Sequence, residues 1–233
     1  MALTQPRVGA TIDVAMPTRL SRRTFLTGAA GLSAVSAVSA RAHGKPQTVN
    51  ATFDVDRFVE DVRRARLETD SQKAVEEVLE RAVSDPASVL RGVGEPTEAG
   101  IHTVHRSDDL TILNVVWAPL MVLLPHNHNM WASIGIYTGR EDNIVWQRRG
   151  EVIEADGAAS LSQREVFGLP SDAIHSVTNP IGRLTGAIHI YGGDFFKPGR
   201  SEWDPEALRE RPFDLEAARR TFREANERFK LIR

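Results

Sequence analysis

The sequence predicts a mainly β protein, an antiparallel barrel or sandwich of short strands with helical segments before and after it. Three observations carry this. Between Ile101 and Tyr191 apolar residues follow a period of two, in short runs separated by turn residues. Over residues 52–92 and 214–229 they recur instead at three- and four-residue steps. The chain has 233 residues, 41% of them hydrophobic, which suits one domain with a real core and extensions at both ends.

Taken in order, residues 1–42 carry an address and an extension before it. Ser21-Arg22-Arg23-Thr24-Phe25-Leu26 opens a weakly apolar run rich in Ala, Gly and Ser from Thr27 to Ala40, and Arg41, Ala42 and His43 follow. Paired arginines, a modest apolar core and small residues at a cleavage point resemble a twin-arginine export signal. The expected consequences are engagement of the Tat translocase and a periplasmic or other extracytoplasmic location, or a cytoplasmic one if the signal is silent. Cleavage is expected after Ala40 or Ala42, and Met16 offers a second start. The apolar run is too short and too polar for a stable membrane span.

Residues 52–97 form a helical segment. Phe53, Val55, Phe58, Val59 and Val62 share one stripe, and Ala74, Val75, Val78, Leu79 and Val83 another. Asp85-Pro86 interrupts the pattern and starts a short helix to Leu90. Gly92, Gly94, Pro96 and Gly100 make a loop into the barrel, residues 98–195. Its expected strands are 101–105, 110–118, 130–138, 143–149, 151–155, 160–167, 173–178 and 184–191, with turns at 107–109, 139–142, 156–157 and 179–182. Residues 196–233 are a loop and a helix whose stripe is Leu215, Ala218, Phe222 and Ala225.

Composition removes several functions. A net charge of −2 gives no general attraction to nucleic acid. With no cysteine, disulfides, thiolate metal sites and a cysteine nucleophile are excluded.

Of seven histidines, three fall in two patterned segments and a fourth, His189, follows on the last expected strand. In Pro125-His126-Asn127-His128 the two imidazoles sit at i and i+2, on one face of extended chain, and can chelate one ion. His175, in Ile174-His175-Ser176-Val177, comes 47 residues after His128. A closed barrel can set it opposite the first pair. Three neutral imidazoles bound facially leave up to three positions of a six-coordinate metal for other ligands.

The segments Trp117–Gly139 and Ser171–Gly193 resemble the cysteine dioxygenase-like, or thiol dioxygenase, branch of the cupin superfamily. The matching pieces are Pro125-His126-Asn127-His128, Gly139, Ile174-His175-Ser176-Val177-Thr178-Asn179 and Ala187-Ile188-His189-Ile190-Tyr191, within about 95 residues. The resemblance implies a jelly-roll cupin barrel, or double-stranded β-helix. It implies Fe(II) held by His126, His128 and His175, with Mn, Ni or Zn as alternatives, and dioxygen and a small thiol as substrates. Most cupins add a glutamate ligand four or five residues after the second histidine. Ala132 and Ser133 stand there, as the thiol dioxygenases' lack of that carboxylate requires. Glu141, in the expected turn, is read as structural or as support behind the ligands.

The resemblance also assigns a hydrogen-bonded relay to His189 and Tyr191, which share strand parity and so project together into the barrel. The family's serine in that relay is Ala187 here. It places a substrate-carboxylate arginine near Arg106, while Trp131, just after the ligands, is expected to shape the substrate cavity. Ser133 stands where animal members carry a cysteine crosslinked to the tyrosine. The rivals are another metal-dependent cupin enzyme, such as an isomerase, hydrolase or other oxygenase, and a non-catalytic metal- or ligand-binding cupin. The sequence leaves the oligomeric state open.

Overall fold

The computed structural model describes residues 52–197 and 199–231. The export signal, both candidate starts and His43 lie outside the described residues.

Three helices open the fold: α1 (Val55–Ala65), α2 (Ser71–Val83) and α3 (Pro86–Val93). Each begins on an aspartate. The side chains of Asp54, Asp70 and Asp85 accept from the backbone N–H of Arg57, Lys73 and Ser88, three residues on. The expected continuous helical run from 52 to 83 is broken at 66–70, because Asp70 caps a new helix there.

Five strands form the first sheet: β1 (Gly100–Arg106), β2 (Thr111–Trp117), β4 (Ala132–Thr138), β7 (Val166–Leu169) and β9 (Thr185–Tyr191). Their order is β1-β2-β9-β4-β7. Six form the second: β3 (Val122–Asn127), β5 (Arg140–Arg149), β6 (Val152–Ser162), β8 (Ile174–Thr178), β10 (Ser201–Trp203) and β11 (Glu210–Pro212). Their order is β11-β10-β3-β8-β5-β6, and every pairing in both sheets is antiparallel.

The two sheets share an inner core. Leu113, Val115, Ile134 and Ala187 from the first meet Leu123, Leu161 and Val177 from the second. The first sheet's outer face is covered by the helices, with Ile112, Tyr137, Ile188 and Ile190 packing on Phe58, Val62, Val75 and Leu79. Strands β2 and β9 are therefore buried on both faces and read as nearly unbroken apolar runs. The result is a jelly-roll barrel, the antiparallel barrel that the periodicity allows in the form that the resemblance implies. A last helix, α4 (Leu215–Lys230), is capped by Asp214 and buries Ala218, Phe222 and Ala225 against the inner core.

Four expectations need correction. The strand carrying the His-x-His motif, β3, was absent from the expected set. Residues 151–155 and 160–167 are divided differently: β6 runs from Val152 through Asp156-Gly157 to Ser162, with a bulge absorbing the extra residue opposite Val145/Trp146, and residues 163–165 turn the chain into β7. The turn expected over 139–142 is taken by Gly139 alone, at φ 81°, so β5 starts at Arg140. Residues 196–213 are more than loop, since β10 and β11 extend the second sheet.

Candidate metal centre

The three histidines come together through a defect in β3. Leu123 pairs with Val177 and His126 with His175, so three steps along β3 match two along β8. Proline cannot donate to the ladder, and Pro125 sits in this bulge. The added residue lets both Leu123 and His126 face the interior, where they line one cavity with His175. His128 follows just past the strand end, and Asn129 turns the chain at φ 56°.

The ligand nitrogens of His126, His128 and His175 all lie within 4.8 Å of one another. The ring centroids form a near-equal triangle of 5.0, 4.6 and 5.0 Å. Two rings are fixed from behind. His126 Nδ1 is 2.8 Å from the Leu124 carbonyl, an acceptor only, so Nδ1 donates and Nε2 keeps its lone pair. His175 Nδ1 donates to Asn143 Oδ1 at 2.7 Å, leaving its Nε2 3.5 Å from His128 Nε2. Burial holds all three imidazoles neutral: His126 is pushed down to about 4, and His128 and His175 fall well below the usual histidine range. Neutral, converging, pre-oriented imidazoles fit a divalent transition metal.

His189 and Tyr191 project from β9 into the same cavity. The Tyr191 hydroxyl lies 3.2 Å from His189 Nδ1, and its ring packs edge-on to His128 at 4.9 Å. Burial raises the Tyr191 hydroxyl well above the usual phenol range.

Glu141 lies at the heart of this arrangement. It is wholly buried on β5. Its Oε2 accepts from Trp117 Nε1 at 2.7 Å and its Oε1 from Asn143 Nδ2 at 3.0 Å. His189 Nε2 stands 3.4 Å from Oε2. Hydrogen bonds and this close approach thus run from Tyr191 through His189, Glu141 and Asn143 to His175.

The cavity is small, about 30 Å³, and largely apolar, with Leu113, Val115, Val177 and Phe195 among its walls. Phe213 and Leu215, at the start of α4, roof it.

Arg106 and Trp131 are placed elsewhere. Arg106 is half-exposed, and its fork is taken up by both Asp194 oxygens at 2.9 Å. Trp131 packs with the helix-side cluster, against the backbone of Gly192. Ser133 also faces the helices, its hydroxyl 3.2 Å from Glu76 Oε1, so its side chain does not approach Tyr191 from β4.

The arginine nearest the site is Arg200, which sequence reasoning missed. It is 7% exposed, and its guanidinium lies between the rings of Phe195 and Phe213, 4.2 Å from each centroid. Those rings in turn pack on His128 and His126. Among the described residues no carboxylate pairs with it, and its Nη1 is buried without a partner. Burial lowers its proton affinity, opposed by Tyr191.

No family model and no curated protein matches the chain. Solved structures similar in part include an RmlC-like cupin family protein with a double-stranded β-helix fold from Methanocaldococcus jannaschii, at 9% identity over 43% of this chain and 85% of that one, TM-score 0.37. A conserved protein with a double-stranded β-helix domain from Klebsiella pneumoniae is 13% identical over 46% and 83%, TM-score 0.37. Oxalate decarboxylase from Bacillus subtilis is 17% identical over 43% and 27%, TM-score 0.34. The double-stranded β-helix assignment stands on this chain's own strand order and pairing.

Proposed function

We propose that the protein is a non-haem Fe(II) dioxygenase that converts a small, carboxylate-bearing thiol to its sulfinate. One observation carries the reading. Three buried, neutral histidines converge with no carboxylate in their group among the described residues, and two of them, His126 and His175, line a cavity shared with Tyr191 and His189. His126, His128 and His175 would hold the metal, whose chemistry would be to bring thiolate sulfur and dioxygen together.

The remaining work falls to the chain. The overall change, thiol plus dioxygen to sulfinate plus one proton, requires a proton acceptor in a cavity walled by apolar side chains. Tyr191 and His189 stand there, already in contact at 3.2 Å. Leu113, Val115 and Val177 exclude water, and Phe213 and Leu215 close the roof. A buried guanidinium whose Nη1 has no hydrogen-bond partner among the described residues is costly by itself and becomes an asset when an anion arrives, which supports Arg200 as the carboxylate anchor.

Export remains part of the reading, supported by the order of elements from Arg22 to Ala42. Twin-arginine transport carries folded proteins, so the metal would be loaded in the cytoplasm. Among the described residues no helix is long and apolar enough to cross a membrane.

The test is anaerobic loading with Fe(II), oxygen uptake against a panel of small thiols, and mass spectrometry of products. The expected result is uptake matched by sulfinate, strongest with carboxylated thiols. Stoichiometric metal with no uptake for any thiol overturns the proposal and favours another chemistry at the same three histidines.

A further inference from the structure

Glu141 is a wholly buried carboxylate with no lysine or arginine partner among the described residues. Such a group is retained at a cost unless its oxygens are satisfied. Two of its partners cannot reverse. Trp117 Nε1 is a donor only, at 2.7 Å. Asn143 spends its oxygen on His175 Nδ1, so its Nδ2 must face Glu141, at 3.0 Å. The third neighbour, His189 Nε2, is buried 3.4 Å from Oε2, a close approach short of a formed hydrogen bond, and has no hydrogen-bond partner among the described residues.

We infer that Glu141 is a positioning residue that sets the tautomer of His189, and through it the direction of the Tyr191 hydroxyl. Facing a carboxylate whose oxygens already accept, His189 carries its proton on Nε2. Its Nδ1 is then a bare lone pair, and the Tyr191 hydroxyl 3.2 Å away donates to it. The hydroxyl hydrogen points away from the cavity and the oxygen lone pairs point into it. Tyr191 therefore meets a ligand as a hydrogen-bond acceptor. A proton taken up by the Tyr191 oxygen can pass on: the hydroxyl hydrogen moves to His189 Nδ1, and the Nε2 proton moves to Glu141. His189 ends neutral in its other tautomer, and the charge has left the cavity.

The carboxylate thus occupies the relay position left open by Ala187, reaching His189 from the opposite sheet. Glu141 comes from β5, whereas Ala187 and His189 lie on β9. The same residue braces the metal ligand His175 through Asn143, so relay and metal support share one carboxylate. The role in proton transfer rests on the dioxygenase reading, but the tautomer itself does not, and the test measures the tautomer.

The experiment uses the full chain loaded with zinc, which is diamagnetic. Long-range proton–nitrogen NMR on the histidine rings reads each tautomer, with His189→Ala assigning the resonance. The expected result is His189 protonated at Nε2 and bare at Nδ1, with a through-space contact between its Nε2 proton and the Trp117 Nε1 proton, since the two nitrogens lie 3.4 and 2.7 Å from one Glu141 oxygen. In Glu141→Gln a single amide oxygen cannot satisfy Trp117 and Asn143 and also leave an acceptor for His189, so the ring should switch to Nδ1–H with zinc stoichiometry unchanged. A wild-type ring protonated at Nδ1 overturns the inference without any variant. So does an unchanged tautomer in folded Glu141→Gln. Should that variant not fold, the wild-type tautomer and the Trp117 contact decide. Neither outcome depends on oxygen uptake, so this inference and the dioxygenase reading can fail separately.

Discussion

Asn143 accepts the Nδ1 proton of His175 at 2.7 Å, and it can do so only because its own amide donates to Glu141. This fixes which way the side chain is turned, and it fixes His175 with Nε2 toward the other two ligands. Residues that orient metal-bound histidines typically contribute a factor of about 10–100 in metal affinity. Asn143→Ala should weaken metal binding by that range, read by competition with a coloured chelator, while the fold survives. Affinity unchanged within threefold would show that packing alone orients His175.

The ligands also make the metal-free chain sensitive to acid. The folded-state value of His126 is about 4, below the ordinary 6.5, because burial disfavours its charged form. Between those values the unfolded chain binds more protons, so stability is full above about pH 6.5 and falls as pH drops toward 4. At 1.36 kcal/mol per pH unit, His126 alone accounts for roughly 3 kcal/mol, and His128 and His175 act in the same direction. Urea midpoints of the metal-free chain at about pH 7 and about pH 4.5 test this. Equal midpoints would mean that the cavity admits enough water to solvate a charged imidazole.

How much of this was legible in the sequence follows from what each feature depends on. The alternation of Leu113, Val115 and Trp117 and the shared parity of His189 and Tyr191 are local, and both reach the interior as expected. The helix start at Asp85-Pro86 is equally local. Strand β3 was hidden because Pro125 and the bulge around it break the alternation, although a proline beside a ligand pair is itself a signal for a bulge. Strands β10 and β11 have three residues each, too few to show a period. Glu141 was singled out as support behind the ligands, but its place on a strand was hidden by a turn that needs only Gly139, whose positive φ and approach to Thr185 bring the chain directly into β5. Arg200 carried no local signal at all. Its place between two phenylalanines exists only once β10 and α4 close over the barrel.

Helix α4 is part of the site's roof, and Phe222 anchors it. Its ring stacks on Trp117 at 5.3 Å, and it is 4% exposed. Phe222→Ala should destabilise the protein by about 3–5 kcal/mol, the usual range for truncating a buried phenylalanine. Because Trp117 is the donor to Glu141, the same variant should shift the Trp117 indole resonance. Chemical denaturation measures the first effect, and a loss below 1 kcal/mol would mean that α4 is dispensable to the core.

Export makes a separate prediction. Replacing Arg22 and Arg23 by lysine keeps the charge but removes the guanidinium pair that defines the signal. The variant should accumulate uncleaved in the cytoplasm, with metal content equal to the wild type. Normal cleavage and export of the lysine pair would assign residues 1–42 to another route.

Arg200 carries the sharpest trade-off. Among the described residues its Nη1 is buried without a hydrogen-bond partner, so a neutral side chain of similar length removes a desolvated charge. Arg200→Met should therefore raise the unfolding midpoint. Charge-assisted hydrogen bonds contribute about 1.5–3 kcal/mol, or roughly 10–150-fold, so the same variant should raise KM for a carboxylated thiol within that range. With an uncharged thiol of equal length KM should stay the same, because nothing on that substrate meets the guanidinium. Stability and substrate affinity moving in opposite directions would identify a cation held at a cost for binding. A variant that loses stability and handles both thiols alike would instead make Arg200 a structural spacer between Phe195 and Phe213.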